Sequence, residues 1–286
     1  MDEQLYLMAV GLSLDEKIEK AIANFQHYEH EAIKRDPENG YYLCDSFGKD
    51  SCVILHLAQK SGVKFSSHHG LTTLDAPELI QFGKRNHPDT IIHKPEMPML
   101  KMLENKKGPP TRLMRWCCEK YKENGGNGSV KVLGVRAAES PRRKSNWRIL
   151  TSHRKTESFL LNPILFWSDE DVWRYIHDNK VPYCGLYDEG FKRLGCVGCP
   201  MAGDGRKKEF LRWPRIGAAW KRAIVRFYDK WHDVPLQRPR TLPNGKITRQ
   251  RWFDLKENIN SGEDLFDWWM EDLPEAEDEG CQMGLF

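Results

Sequence analysis

Two stretches of this 286-residue chain group side chains that could hold an anion, and two others place cysteines in pairs. The first, Ser46-Phe47-Gly48-Lys49-Asp50-Ser51, lies between a short β-prone run, Tyr41-Tyr42-Leu43-Cys44, and the helically spaced segment Ser51 to Leu57. At a strand-to-helix turn the first backbone N–H groups of the helix lack partners and the helix dipole is positive, so an anion is favoured there. The side chains suit phosphate. Ser46 and Ser51 offer hydroxyls, Lys49 a point charge, Gly48 a close backbone approach, and Asp50 a ligand for Mg²⁺ or a helix cap. The hexapeptide matches neither the Walker loop nor the G-x-G-x-x-G dinucleotide pattern.

The second stretch, Gly134-Val135-Arg136-Ala137-Ala138-Glu139-Ser140-Pro141-Arg142-Arg143-Lys144, leaves a β-prone run that begins at Val130. Strand C-termini share one edge of a parallel sheet, so this loop is expected to meet the Ser46 loop across a common crevice. Arg136 and Arg143 would then clamp phosphate or sulfate oxygens, with Glu139 orienting one of them.

Eight cysteines in a chain without an export signal are poorly explained by disulfides. Trp116-Cys117-Cys118 is expected in or beside a helix starting near Thr111, and Gly195-Cys196-Val197-Gly198-Cys199-Pro200 is a C-x-x-C. Adjacent cysteines have Cα atoms about 3.8 Å apart and diverging side chains, which suits one tetrahedral ion badly. It suits a cluster in which each thiolate takes a different iron. A [4Fe–4S] cluster on Cys117, Cys118, Cys196 and Cys199 is the expectation, with zinc and metal-free thiols as the alternatives. Cys184 is a further alternative, in place of Cys118. Cys44 and Cys52 are expected to fill core space.

The elements that must position these groups alternate. Ser13-Leu14-Asp15-Glu16 is a capping box opening a helix to about Ile33, and Asp36 to Gly40 reads as a turn. Strands are expected at Tyr41–Cys44, Val63–Ser66, Thr90–His93, Val130–Val135 and Phe159–Leu161. Helices are expected after Ser51, from Pro77 to Arg85, and from a cap at Ser168 to about Asp178. A β-α-β-α order implies an α/β fold with a parallel twisted sheet and flanking helices. The division expected is an N-terminal helix over 1–36, a nucleotide-binding domain over 37–203, and a helical basic region with an acidic tail over 204–286. No apolar run is long enough for a membrane helix and the acidic start lacks a basic signal region, so no membrane partner and a cytoplasmic setting are expected.

The Ser46 loop resembles the PP-loop of the adenine nucleotide alpha-hydrolase superfamily, usually S-G-G-x-D-S, with Phe47 in place of a glycine. Gly134 to Arg143 is similar to the G-V/I-R-x-x-E/D-S-x-x-R stretch of the phosphoadenylylsulfate (PAPS) reductase family. Thr72-Thr73-Leu74-Asp75-Ala76-Pro77-Glu78 resembles that family's second-strand loop, and Asn162 to Trp173 its N-P-I/L-x-x-W-x-x-x-D-V/I-W run. Together these cover about residues 40 to 202. The resemblance implies a Rossmann-like fold and a bound adenine nucleotide, either ATP or the sulfonucleotides APS and PAPS. Ser46 to Ser51, Gly134, Arg136, Glu139 and Ser140 would bind it, and Lys49, Asp50, Arg136 and Arg143 would be catalytic. Cys-Cys with a distant C-x-x-C is similar to the cluster site of the iron–sulfur adenylylsulfate (APS) reductases.

Reductases of this family use a C-terminal cysteine in an E-C-G-L/I-H setting, whose product thioredoxin resolves. Here the end reads Glu279-Gly280-Cys281-Gln282, with no histidine and with acids that would raise the thiol pKa. The retained Lys-Asp-Ser points instead to ATP, with an acceptor attacking the α-phosphorus, and direct sulfonucleotide reduction with a thioredoxin-like reductant is the alternative. Arg206 to Arg251 holds 14 Lys and Arg against three acids, interleaved with Trp213, Trp220, Phe227, Tyr228, Trp231 and Trp252. A nucleic-acid substrate is one use for such a block, and the core face of amphipathic helices is the other. A non-catalytic nucleotide-binding or nucleic-acid-binding module is the remaining class.

Overall fold

The computed structural model describes residues 3–203, 205–234, 240–241, 247–248 and 259–271. After helix α1 (Glu3–Val10), the capping box expected at Ser13 is present: its hydroxyl accepts from the Glu16 amide while the Glu16 carboxylate accepts from the Ser13 amide. It opens α2 (Leu14–Arg35), whose Phe25 backbone oxygen accepts a hydrogen bond from the buried Tyr41 hydroxyl at 2.6 Å.

Six strands form one sheet in the order β3-β2-β1-β4-β6-β5: β1 (Tyr41–Cys44), β2 (Phe65–Gly70), β3 (Ile91–His93), β4 (Val130–Val132), β5 (Leu150–His153) and β6 (Ser158–Leu161). All neighbours are parallel except β5, which runs antiparallel to β6 at one edge. The chain leaves β1 towards β2 on one side and reaches β4 on the other. The crevice beyond β1 and β4 is therefore the topological switch point, where ligands of open α/β sheets bind.

Helices α3 (Lys49–Ser61), α4 (Pro77–Asn86) and α8 (Asp169–Asp178) stand where spacing and caps predict them, with short α5 (Met99–Leu103), α6 (Trp116–Tyr121) and α7 (Pro141–Asn146) between. Three expectations shift. The helix beside the first cysteine pair starts at Trp116 rather than near Thr111, β4 ends at Val132 rather than Val135, and β2 begins two residues after Val63 and runs through the polar stretch Ser66-Ser67-His68-His69. Leu43, Val53, Leu57, Val132, Trp167 and Tyr175 form the main core between the sheet and α2, α3 and α8.

Beyond the sheet, Pro214 ends α9 (Gly205–Arg212) and starts α10 (Pro214–Trp231), and α11 (Gly262–Met270) lies against α10. Trp220 of α10 stacks on Trp269 of α11 with ring centroids 4.7 Å apart. They share one apolar cluster with Leu74, Met99, Leu103 and Tyr121. Among the described residues, no helix is long and apolar enough to cross a membrane.

Candidate functional site

The turn after β1 is built around a buried carboxylate. Asp45 accepts hydrogen bonds from the Phe47 amide at 2.9 Å, the His87 ring at 2.5 Å and the Thr90 hydroxyl at 3.1 Å. Burial alone would push this carboxyl up, but the hydrogen bond and charge of His87 outweigh it and hold the pKa below the ordinary range.

Phe47 explains why its place in such loops is usually glycine: its φ is +60°, in the left-handed region. A side chain there costs about 1–2 kcal/mol. The ring is fully buried, stacked on His69 at 4.1 Å and pressed against Gly83 of α4. Burying a phenyl ring contributes roughly 1.5–3 kcal/mol, enough to offset the strain.

The expectation of unpaired amides in this turn needs correction at three positions. The amides of Phe47, Gly48 and Lys49 already donate to Asp45, Ser46 Oγ and the Tyr187 hydroxyl. Ser51 Oγ donates to the Gly48 carbonyl and accepts from Ser46 Oγ at 3.2 Å. The turn is held by its own side chains together with Tyr187.

The two anion loops do meet. A Cβ on Gly134 would lie 3.1 Å from the Asp50 Cβ, so the exit of β4 rests against the start of α3. Arg136, buried, donates from Nε to Asp50 at 2.6 Å and from Nη2 to Asp169 at 2.9 Å. Lys49 Nζ lies 3.2 Å from Asp50 and 3.1 Å from Asp169. Burial raises the Asp169 pKa, but Lys49 and then Arg136 pull it below the ordinary carboxylate range. Ser140 caps α7 by accepting from the Arg143 amide, and Glu139 accepts from the Arg136 amide and pairs with the Arg143 guanidinium, the orienting role expected of it.

Arg143 has company that the sequence reading did not identify. Burial, then Arg193, Arg115 and Arg136, push its pKa down, which places three further guanidinium groups close enough to act on Arg143. Arg115 precedes Trp116-Cys117-Cys118 and Arg193 stands three residues before Cys196, so a cation beside each cysteine pair was the available signal. Asp169 was legible only as part of a helix cap. Tyr187 carried no pattern at all.

The cysteine pairs lie around one lysine. Cys117 hydrogen-bonds to Cys118, which pulls the Cys118 pKa down, and the Arg115 guanidinium lies 3.5 Å from its Sγ. The Lys122 pKa is driven up by Cys196 first, and also by Asp75, Cys199 and Cys118. The C-x-x-C loop is clamped from three sides: the Val197 amide donates to Leu74, Trp220 Nε1 donates to Val197, and the Gly198 amide donates to Glu209. Gly198 sits at φ +81°, and a Cβ there would lie 2.6 Å from Trp220 Nε1. Among the described residues no group of three or more His, Cys, Asp or Glu side chains could hold a metal ion as placed.

Cys184 is elsewhere, buried with Phe47, Leu186, Phe191 and Trp213. Cys52 is in the core as expected, whereas Cys44 lines a cavity wall, its thiol pushed up to about 12 by burial. Cys281 lies outside the described residues. In the basic block Trp213, Trp220 and Phe227 are interior rather than open for base stacking, and Arg206, Arg212 and Arg226 bond to groups of this chain. Trp252 lies outside the described residues.

A cavity of about 400 Å³ is lined by Asp45 and Ser46, by the ends of β2 and β3, and by Lys122 and Gly195.

Residues 41–202 match the model of the phosphoadenosine phosphosulfate reductase domain. The chain belongs to that family. It is 29% identical over 203 residues to an adenosine 5'-phosphosulfate reductase of Bacillus cereus, covering 66% of this chain and 82% of the relative. An uncharacterized protein of Methanocaldococcus jannaschii is 31% identical over 264 residues, covering 77% of this chain and 58% of the relative; another from that organism is matched over 28% of its length. The chain thus spans well under two thirds of both. Among solved structures, PAPS reductase from Candida auris aligns with TM-score 0.46 and 18% identity, covering 69% of this chain and 94% of that one. FMN adenylyltransferase of Candida glabrata in complex with ATP aligns with TM-score 0.46 and 15% identity, covering 68% of each chain.

Proposed function

We propose that this PAPS-reductase-family chain is an enzyme that binds ATP at the Ser46–Ser51 loop and performs chemistry at its α-phosphate, with an acceptor attacking and pyrophosphate leaving. The observation that carries the reading is the quartet at the switch point, in which Lys49 and Arg136, from the two anion loops, share Asp50 and Asp169. Two buried cations held by carboxylates are a ready site for phosphate oxygens. Asp169, whose side chain is 63% exposed at the start of α8, is the group free to give way. An entering phosphate takes its place on Lys49 Nζ and Arg136 Nη2. The released carboxylate of Asp169, with Asp50 still held by Arg136 Nε, would then be able to hold Mg²⁺, which prefers a few carboxylates together with phosphate oxygens. Lys49 and Arg136 neutralise charge that develops on the α-phosphate oxygens as the bond to pyrophosphate breaks, and Glu139 keeps Arg143 turned towards the same anion.

The donor set of the cysteine region fits a [4Fe–4S] cluster better than one ion. Cys118 of one pair and both thiols of the other act on the same Lys122, Cys196 and Cys199 also act on Cys117, and a cubane takes one thiolate per iron. Cys117, Cys118, Cys196 and Cys199 would hold it, and when bound it would supply a centre that exchanges one electron. Lys122 and Arg115 offset the thiolate charge.

The test is incubation of the anaerobically purified protein with ATP, APS and PAPS separately, following pyrophosphate, AMP and sulfite, alongside iron and sulfide determination. Pyrophosphate from ATP alone is the expected result. Sulfite release from APS or PAPS with a thioredoxin-like reductant would replace this reading with direct reduction, and a colourless protein with stoichiometric zinc would remove the cluster.

A further inference from the structure

Helix α8 starts between two sets of cations. Asp169 is its first residue and Asp171 its third, so at about 100° per residue their side chains leave the helix on opposite sides. Asp169 lies 3.1 Å from Lys49 Nζ and 2.9 Å from Arg136 Nη2. Asp171 reaches back to Lys17 of α2, whose Nζ donates to Oδ2 at 2.7 Å. The same oxygen accepts from the Ser168 amide at 2.7 Å, and the Ser168 hydroxyl accepts from the Asp171 amide at 3.0 Å. The bend that opens α8 is therefore tied to α2 through one carboxylate.

A charge at position 17 is not there for stability alone. The Lys17 side chain is 6% exposed and that of Asp171 16%, and a buried ion pair gains little over an apolar pair of the same volume, because both ions give up water. What such a pair adds is a fixed register. Its base is firm: α2 carries its own capping box at Ser13, and the Phe25 backbone oxygen is held by the Tyr41 hydroxyl. Asp169 has a mostly exposed side chain, so its hold on the two cations depends on where the first turn of α8 stands. Lys17 lies before the segment 41–202 that matches the family model, so this support comes from outside it.

We propose that Lys17 is a positioning residue of the anion site: by fixing Asp171 it holds the first turn of α8 where Asp169 occupies Lys49 and Arg136, and so sets how hard an entering phosphate must compete for them. This rests on the reading that a nucleotide phosphate displaces Asp169. The consequence has a sign that plain damage to the fold would not give. A looser turn weakens the internal competitor, so the anion binds tighter. The field of the lost charge acts the other way, since removing a cation weakens the attraction for an anion.

The experiment is calorimetric titration of the full chain with ATP, without added Mg²⁺, for Lys17→Met, Lys17→Arg, Asp171→Asn and Asp169→Asn, and for Lys17→Met and Asp171→Asn each combined with Asp169→Asn. Lys17→Met and Asp171→Asn change the net charge in opposite directions, yet both should bind ATP roughly 2- to 5-fold tighter than the parent, the factor an exposed ion pair is worth. Lys17→Arg should bind as the parent does, and in the Asp169→Asn background neither change should tighten binding further. Weaker or unchanged binding by Lys17→Met is the charge field alone and overturns the positioning role while leaving nucleotide binding intact. Absence of ATP binding by the unaltered protein overturns the nucleotide reading itself. Where Lys17→Met does not fold, Asp171→Asn decides: a gain that disappears in the Asp169→Asn background supports the role, and no gain, or one that survives there, overturns it.

Discussion

Gly83→Ala tests whether α4 and the phosphate loop are locked together by one ring. A Cβ at Gly83 would lie 2.4 Å from Phe47 Cε2 and 2.5 Å from Cδ2 and Cζ, far inside van der Waals contact. In an open helix interior the same substitution would stabilise by about 1 kcal/mol. Here the ring cannot retreat, because His69 is stacked at 4.1 Å and Leu79 and Leu186 belong to the same buried cluster. Overpacking of that kind costs roughly 1–3 kcal/mol. The net is a destabilisation of up to about 2 kcal/mol, or up to roughly 8 °C in melting temperature for a chain of this size. Phe47 also carries an amide of the anion turn, so nucleotide affinity should fall with it. Phe47→Ala on its own removes a buried ring, yet in the double variant the new methyl group has room, and the two changes should be less than additive by more than 0.5 kcal/mol. Thermal denaturation of the four proteins reads this directly. A Gly83→Ala protein that melts higher than the parent, or additive behaviour in the cycle, would refute the lock.

The remaining expectations concern charge and caps. Lys49→Met and Arg136→Met should each lower turnover of ATP to pyrophosphate by about 10²–10³-fold, measured by pyrophosphate release, while melting temperature changes little by comparison. The folded Asp45 pKa lies below its unfolded value, so its stabilisation is complete above the unfolded pKa of about 3.9 and is lost as pH falls through the folded value. A denaturant series from pH 6 to pH 2 should show that loss, and Asp45→Asn should flatten it. Ser13→Ala, at the exposed capping box of α2, should cost about 1 kcal/mol in the same assay; no measurable change would mean the cap adds nothing.

Most of the scaffold was legible because its signals are local. Ser13 and Ser168 cap helices in sequence as they do in space, and Pro77 marks a first turn. β2 was misplaced because its second half, His68 to Gly70, lines the cavity, and the strand carries polar groups where a buried strand would be apolar. The antiparallel β5 has too little apolar alternation to announce itself. At the site, residues inside a motif were legible and residues brought in by tertiary packing were not. Lys49, Asp50 and Arg136 belong to the first kind. Tyr187, which takes the Lys49 amide from 138 positions away, belongs to the second.

The clamp on the C-x-x-C loop bears on where this protein can be cut. The family match ends at residue 202, yet Glu209 and Trp220, which grip Gly198 and Val197, come after it. A fragment trimmed to the matched segment would keep every motif and lose the buttress that shapes one pair of thiols. In this chain the recognisable module and the working unit have different borders, and the trailing helices belong to the second.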